Sequence, residues 1–130
     1  MGNYTKEIKR NSDRINILHS RIHETVKFRD ESEQKHKEWE QSCAAFHQQY
    51  DTLAFPGGLE GAYERIVKGD NQAMEAAICF LECRPYFFRS GYIFKDLLRK
   101  VKRAPLNKDQ QARLQKIVDA YNEYKQSKSA

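Results

Sequence analysis

Residues 1–53 carry apolar side chains at helical spacing, contain no proline, and have Gly2 as their only glycine. Read as heptads, position a runs Ile8, Ile15, Ile22, Arg29, His36, Cys43 and Tyr50. Position d runs Asn11, Leu18, Thr25, Ser32, Trp39, Phe46 and Leu53. The register holds throughout, but the seam turns polar from Thr25 to His36. One unbroken helix over this stretch would extend roughly 70 Å, longer than a compact domain of this size is wide. Either it projects as a long amphipathic, coiled-coil-like helix, or it breaks near residues 29–32 into a helical hairpin. Polar a and d positions weaken a coiled-coil seam, which favours the hairpin. Asp30 or Ser32 would then cap the second helix, although Ser32 and Lys35 lack the Glu or Gln of a capping box.

Phe55-Pro56-Gly57-Gly58 is the clearest break in the chain. Beyond it, short helical patterns alternate with tight punctuation. Leu59, Ala62, Tyr63, Ile66 and Val67 make one apolar face, ended by Gly69 as a left-handed cap. Asp70 or Asn71 opens the next, with Met74, Ala77, Ile78 and Leu81 inward and Pro85 as its stop. Ser90 is expected to cap a third, burying Ile93, Phe94, Leu97, Leu98 and Val101 and ending before Pro105. Asn107 with Gln110 reads as a capping box for a fourth, with Leu114, Ile117, Val118, Tyr121 and Tyr124 on one side. Period-2 alternation is almost absent, so the expected fold class is all-α. Residues 1–54 would form the N-terminal segment and residues 55–130 a compact four-helix body, the two making one folding unit. The array resembles HEAT-like or TPR-like stacks in architecture only, because no repeat signature recurs at 30 to 45 residues.

With 130 residues, a real core is attainable without disulfide staples. The three cysteines are an odd count with no C-x-x-C pair, as in a cytosolic protein with reduced thiols. The N-terminus has no apolar region of a secretory signal, and Lys6 stands where a myristoylation pattern at Gly2 wants Ser or Thr. The longest nearly apolar stretch, residues 76–81, is far short of a membrane span. A cytoplasmic location is therefore expected.

Catalytic and metal chemistry find little support. Cys43 with His47, and Cys79 with Cys83, stand one helical turn apart, and together the four would offer soft ligands to zinc. Their spacing matches no zinc finger or ribbon, and Cys79 sits in an apolar run, where a free cysteine behaves as a small hydrophobe. His19 and His23 are also one turn apart, at heptad positions expected to face solvent. There is no G-x-S-x-G elbow and no glycine-rich phosphate loop after a strand. No enzyme activity, cofactor or metal is expected.

Charge is the stronger clue. Residues 84–116 hold ten Lys and Arg against Asp96 and Asp109, a net of +8, whereas the rest of the chain sums to −3. Lys95, Arg99, Lys102 and Arg103 recur at three or four residues opposite the apolar face, beside Tyr86, Phe87, Phe88 and Tyr92. Phe87 and Phe88 are expected in the core. A basic, aromatic surface of this kind suits a protein partner with an acidic surface, as for an adaptor, an assembly component or an inhibitor of the immunity-protein or antitoxin type. The expected contacts are Arg89, Tyr92, Lys95, Arg99, Lys102 and Arg103, with Trp39 and Phe46 as an alternative apolar interface. RNA or single-stranded DNA binding through residues 84–116 is the second reading. Homodimerisation through Ile8, Ile15, Leu18 and Ile22 is the third.

Overall fold

The computed structural model describes residues 4–129. Gly2, on which the question of lipidation turns, lies outside them. Six helices follow one another: α1 (Thr5–Val26), α2 (Glu33–Ala54), α3 (Ala62–Val67), α4 (Asn71–Cys83), α5 (Ser90–Val101) and α6 (Lys108–Ser129). No strand occurs among the described residues, so the fold is all-α. None of these helices is long and apolar enough to cross a membrane.

The polar stretch of the heptad seam is where the chain turns. α1 ends at Val26, and Ser32 starts α2 by accepting a hydrogen bond on Oγ from the Lys35 amide at 3.1 Å. The two helices therefore form an antiparallel hairpin. Its seam is spent inside the chain: Ile8, Ile15 and Leu18 are at most 4% exposed, and Ile22 packs against the same core. The homodimer expected through these side chains finds no support, because Ile8, Ile15 and Leu18 are already removed from water and Ile22 is half-buried.

α4 is the centre of the body. Eight of its thirteen residues are buried, over most of its circumference, and it packs against α1, α3, α5 and α6. A short helix with so wide an apolar surface must be enclosed by others, since Asn71, Glu75 and Glu82 make only a narrow polar stripe. Asp70 caps its start, accepting from the Ala73 amide at 2.9 Å. Arg84 ends it in the left-handed conformation, with φ at 46°. Gly69 holds φ at 91°, and a Cβ there would lie 2.8 Å from Pro105, so the glycine serves both conformation and close approach.

The Phe55-Pro56-Gly57-Gly58 break is a fastened loop. Asp51 accepts from the Glu60 amide on Oδ1 at 2.9 Å, and Arg65 donates to the carbonyls of Gly58 and Glu60. The Asn107 and Gln110 capping box forms reciprocally, at 2.7 and 3.1 Å. Ser90 departs from expectation. It is the first helical residue of α5, and its hydroxyl reaches back to accept from the Phe87 amide at 3.1 Å, leaving Arg89 at the cap position.

α6 is fastened to α4 by charge. The Arg113 guanidinium, 17% exposed, donates to Glu75 at 2.9 Å, to Glu82 at 2.8 Å and to Asp109 at 3.2 Å. Gln110 adds a hydrogen bond to Glu75 at 3.1 Å. Burial pushes the Glu75 carboxyl up, but the hydrogen bonds from Gln110 and Arg113 and the arginine's charge outweigh it and hold it below its ordinary value. Removing Arg113 leaves the mostly buried Glu75 carboxylate, and the more exposed Glu82 and Asp109, without their cation. Arg113→Met should cost about 3 kcal/mol in urea denaturation, and adding Glu75→Gln should restore part of that loss. A neutral outcome for Arg113→Met alone would show that the cluster is solvated.

Candidate partner-binding surface

The segment between α4 and α5 has little internal hydrogen bonding, so the rest of the chain holds it in place. The Tyr86 carbonyl accepts from the Asn16 amide group at 2.9 Å and from the Ser12 hydroxyl at 3.3 Å, both on α1. The Phe88 carbonyl accepts from the Tyr50 hydroxyl of α2 at 2.6 Å. Phe87 is buried at 5% exposure, edge-on to Phe80 and Tyr50. A loop tied this way is rigid, yet Tyr86 is 88% and Tyr92 69% exposed. Large aromatic side chains held in water on a rigid support are characteristic of binding surfaces.

Phe88 corrects the expectation of a core residue: it is 42% exposed, although its ring packs 5.0 Å from His19 and 5.8 Å from Phe46. His19 is likewise no solvated surface group, since it lies between Phe46 and Phe88 with His23 4.6 Å away. Arg89 adopts φ of 68°, a left-handed conformation that costs a non-glycine residue about 1 kcal/mol. Its guanidinium lies 5.2 Å over the Phe88 ring.

Two grooves meet at the first turn of α5. The larger, about 630 Å³, runs between α1 and the loop and is walled by Asn16, His19, Tyr86, Phe88, Arg89 and Tyr92. The second, about 430 Å³, lies towards α6 and is walled by Arg84, Tyr86, Phe94, Tyr121, Tyr124 and Lys128. Lys95 lines both, and neither contains an acidic residue. Arg84 is sandwiched between the rings of Phe94 and Tyr124, 4.9 and 5.1 Å from their centres, and Lys128 lies 5.2 Å from Tyr124.

Of the contacts expected from sequence, Arg89, Tyr92 and Lys95 come together here. Arg99 is ion-paired with Asp96, which also accepts from the Tyr63 hydroxyl at 3.3 Å. Lys102 and Arg103 are exposed at the other end of α5, about 18 Å along the helix. Arg113 belongs to the α4–α6 ion-pair cluster, so the basic surface is smaller than the count over residues 84–116 implies. The two residues of the alternative apolar interface differ in exposure, Phe46 being buried at 6% and Trp39 half-buried, its ring covered by Arg29 at 4.9 Å.

The cysteine and histidine quartet does not converge. Cys43 is half-buried on α2 and His47 exposed, whereas the buried Cys79 thiol bonds Glu75 at 3.5 Å. Cys83 is half-buried at the end of α4. No group of three or more His, Cys, Asp or Glu among the described residues is arranged to hold a metal. Burial, reinforced by Glu75, pushes the Cys79 thiol up, away from a reactive thiolate.

Sequence reasoning missed Asn16, His19, Tyr124 and Lys128, and placed Arg84 and Tyr86 in the basic, aromatic segment without making them expected contacts. Tyr86 carried a signal, as an aromatic directly after Pro85, outside any helical period. The missed residues are distant in sequence and meet only because α1 and α6 flank the α4–α5 loop.

Burial and then the neighbouring His23 hold the His19 imidazole below its ordinary value of 6.5. The unfolded chain therefore binds the extra proton first, so stability falls as pH drops below about 6.5 and the loss is complete below the folded value. Between pH 7.5 and 5, His19→Gln should fall less in melting temperature than the parent protein. Glu75 does not confuse this test, because its contribution is lost only below its ordinary value of 4.5. Parallel curves for the two proteins would remove His19 as the group responsible. No protein-family model, curated protein or solved structure matches the chain.

Proposed function

We propose that this chain is a non-catalytic helical interaction protein that docks an acidic protein partner on the basic, aromatic surface around the first turn of α5. An adaptor, an assembly component and an inhibitor that occludes its target would all use such a surface. Arg89, Tyr92 and Lys95 are its centre, with Tyr86 and Arg84 beside them.

One observation carries the choice of protein over nucleic acid. Stacking of bases needs bare ring faces. Here the chain's own cations already occupy three of the rings: Arg89 lies over Phe88, Arg84 and Lys128 lie against Tyr124, and Lys125 lies over Tyr121, which leaves Tyr86 and Tyr92 as the uncovered ones. A cation seated on a ring still has outward N–H groups for a carboxylate, while the ring face is lost to a base. The left-handed backbone at Arg84 and Arg89 adds support. Glycine or asparagine would satisfy both positions at less cost, so the arginine side chains are retained for something beyond the turn.

Affinity capture from native lysate, run with and without nuclease treatment, tests the reading. The parent protein should retain a stoichiometric protein, and Lys95→Glu should lose it. With that partner purified, Tyr92→Ala should weaken binding by about 2 kcal/mol, near 30-fold in Kd, by calorimetry. Recovery of nucleic acid alone, or equal capture by Lys95→Glu, would overturn it.

A further inference from the structure

Gly91 is a glycine that the fold does not need. It is the second residue of α5, it has no positive φ, and a Cβ built on it meets nothing within 4 Å. Every other glycine among the described residues has a positive φ. In a helix, glycine is destabilising relative to alanine, because it loses more backbone freedom on folding and offers no side chain to pack. Its cost at this position is therefore unexplained by the turn, by close packing or by backbone geometry.

Its place on the surface explains it. Gly91 lines both grooves, as do Tyr86, Ser90 and Lys95, so it is the saddle across which the two are continuous. A side chain here would stand up as a ridge and separate them. The walls on either side are apolar or aromatic, and the charged groups along the path, Arg84, Arg89, Lys95 and Lys128, are all cationic. A ligand complementary to this surface carries carboxylates, large apolar side chains at intervals, and enough length to fill both grooves.

Resting on the reading of an acidic protein partner, we infer that one continuous segment of that partner crosses α5 directly over Gly91. It fills the α1-side groove and the α6-side groove together, with its Asp and Glu side chains on Arg89, Lys95, Arg84 and Lys128. Gly91 is thus a specificity-determining residue: its missing side chain admits the partner's backbone. The missing Cβ serves passage of the segment, and helix stability is given up for it.

The probe is a fluorescein-labelled synthetic peptide of about 14 residues with alternating Glu and Phe, long enough to span both grooves when extended. Its binding to the full chain is read by fluorescence anisotropy at low salt. Polyglutamate of equal length and an oligothymidylate serve as comparisons. Affinity should fall with side-chain size, least for Gly91→Ala and about tenfold or more for Gly91→Gln. The melting temperature of Gly91→Ala should rise by about 2–4 °C, and that of Gly91→Gln should not fall. If Gly91→Gln binds as the parent does while Lys95→Glu abolishes binding, the crossing is overturned and the surface reading stands. If polyglutamate binds as tightly as the mixed peptide, the apolar part of the inference is overturned. If the mixed peptide fails to bind the parent protein, or oligothymidylate binds more tightly, both the crossing and the acidic-partner reading fall.

Discussion

The burial of α4 over all but one polar stripe is the constraint from which the rest of the structure follows. Ala73, Met74, Ala76, Ala77, Ile78, Cys79, Phe80 and Leu81 cover most of the circumference, so this helix needs neighbours on nearly every side. α1, α3, α5 and α6 supply them. Its carboxylates Glu75 and Glu82 then become a matter of placement. They sit on the side where α6 arrives, and Arg113 meets both. Apolar enclosure and one arginine together set where α6 can lie. By placing α6, they also set where Tyr121, Tyr124 and Lys128 stand relative to the α4–α5 loop.

That loop is where the core ends and the surface begins. Phe87 closes the apolar interior against Phe80, while Tyr86 and Phe88 on either side of it turn outward. Three hydrogen bonds from Ser12, Asn16 and Tyr50 fix its two carbonyls, and Arg84 and Arg89 bracket it in left-handed conformations. Exposed aromatic groups on such a support lose little freedom on binding, because the loop is ordered beforehand. The same tethers make the hairpin part of the surface: α1 both anchors the loop and walls the larger groove through Asn16 and His19.

Local punctuation was well read from the residues. Ser32, Asp70, Gly69 and the Asn107–Gln110 pair all do what their chemistry implies, because caps and left-handed turns depend on neighbours only a few positions away. Ser90 shows where such reasoning misplaces a group. A serine before an apolar run signals a cap, but Phe87 is anchored in the core, and its amide takes the hydroxyl one turn early. The Ile8–Ile15–Leu18 seam reads equally well as a dimer or a hairpin interface. Only the presence of α2 and α4 within reach decides that it is internal. Phe46 and Phe88, similar in the sequence, part company because one lies on the hairpin's inner face and the other at the loop's rim.

Periodicity, Pro and Gly spacing and capping chemistry were enough to establish an all-α chain with a basic second half, and to favour a hairpin over one long helix at the polar stretch of the seam. These are properties of short segments, where each residue acts on neighbours along the chain. Tertiary structure alone decided which charges are free. Arg113 is consumed by Glu75 and Glu82 of another helix and Arg29 lies over Trp39 of α2, while Arg84 and Lys128, remote from each other in sequence, converge on Tyr124. A charge count sums over sequence, but a surface potential depends on distance, and distances between helices are set by packing.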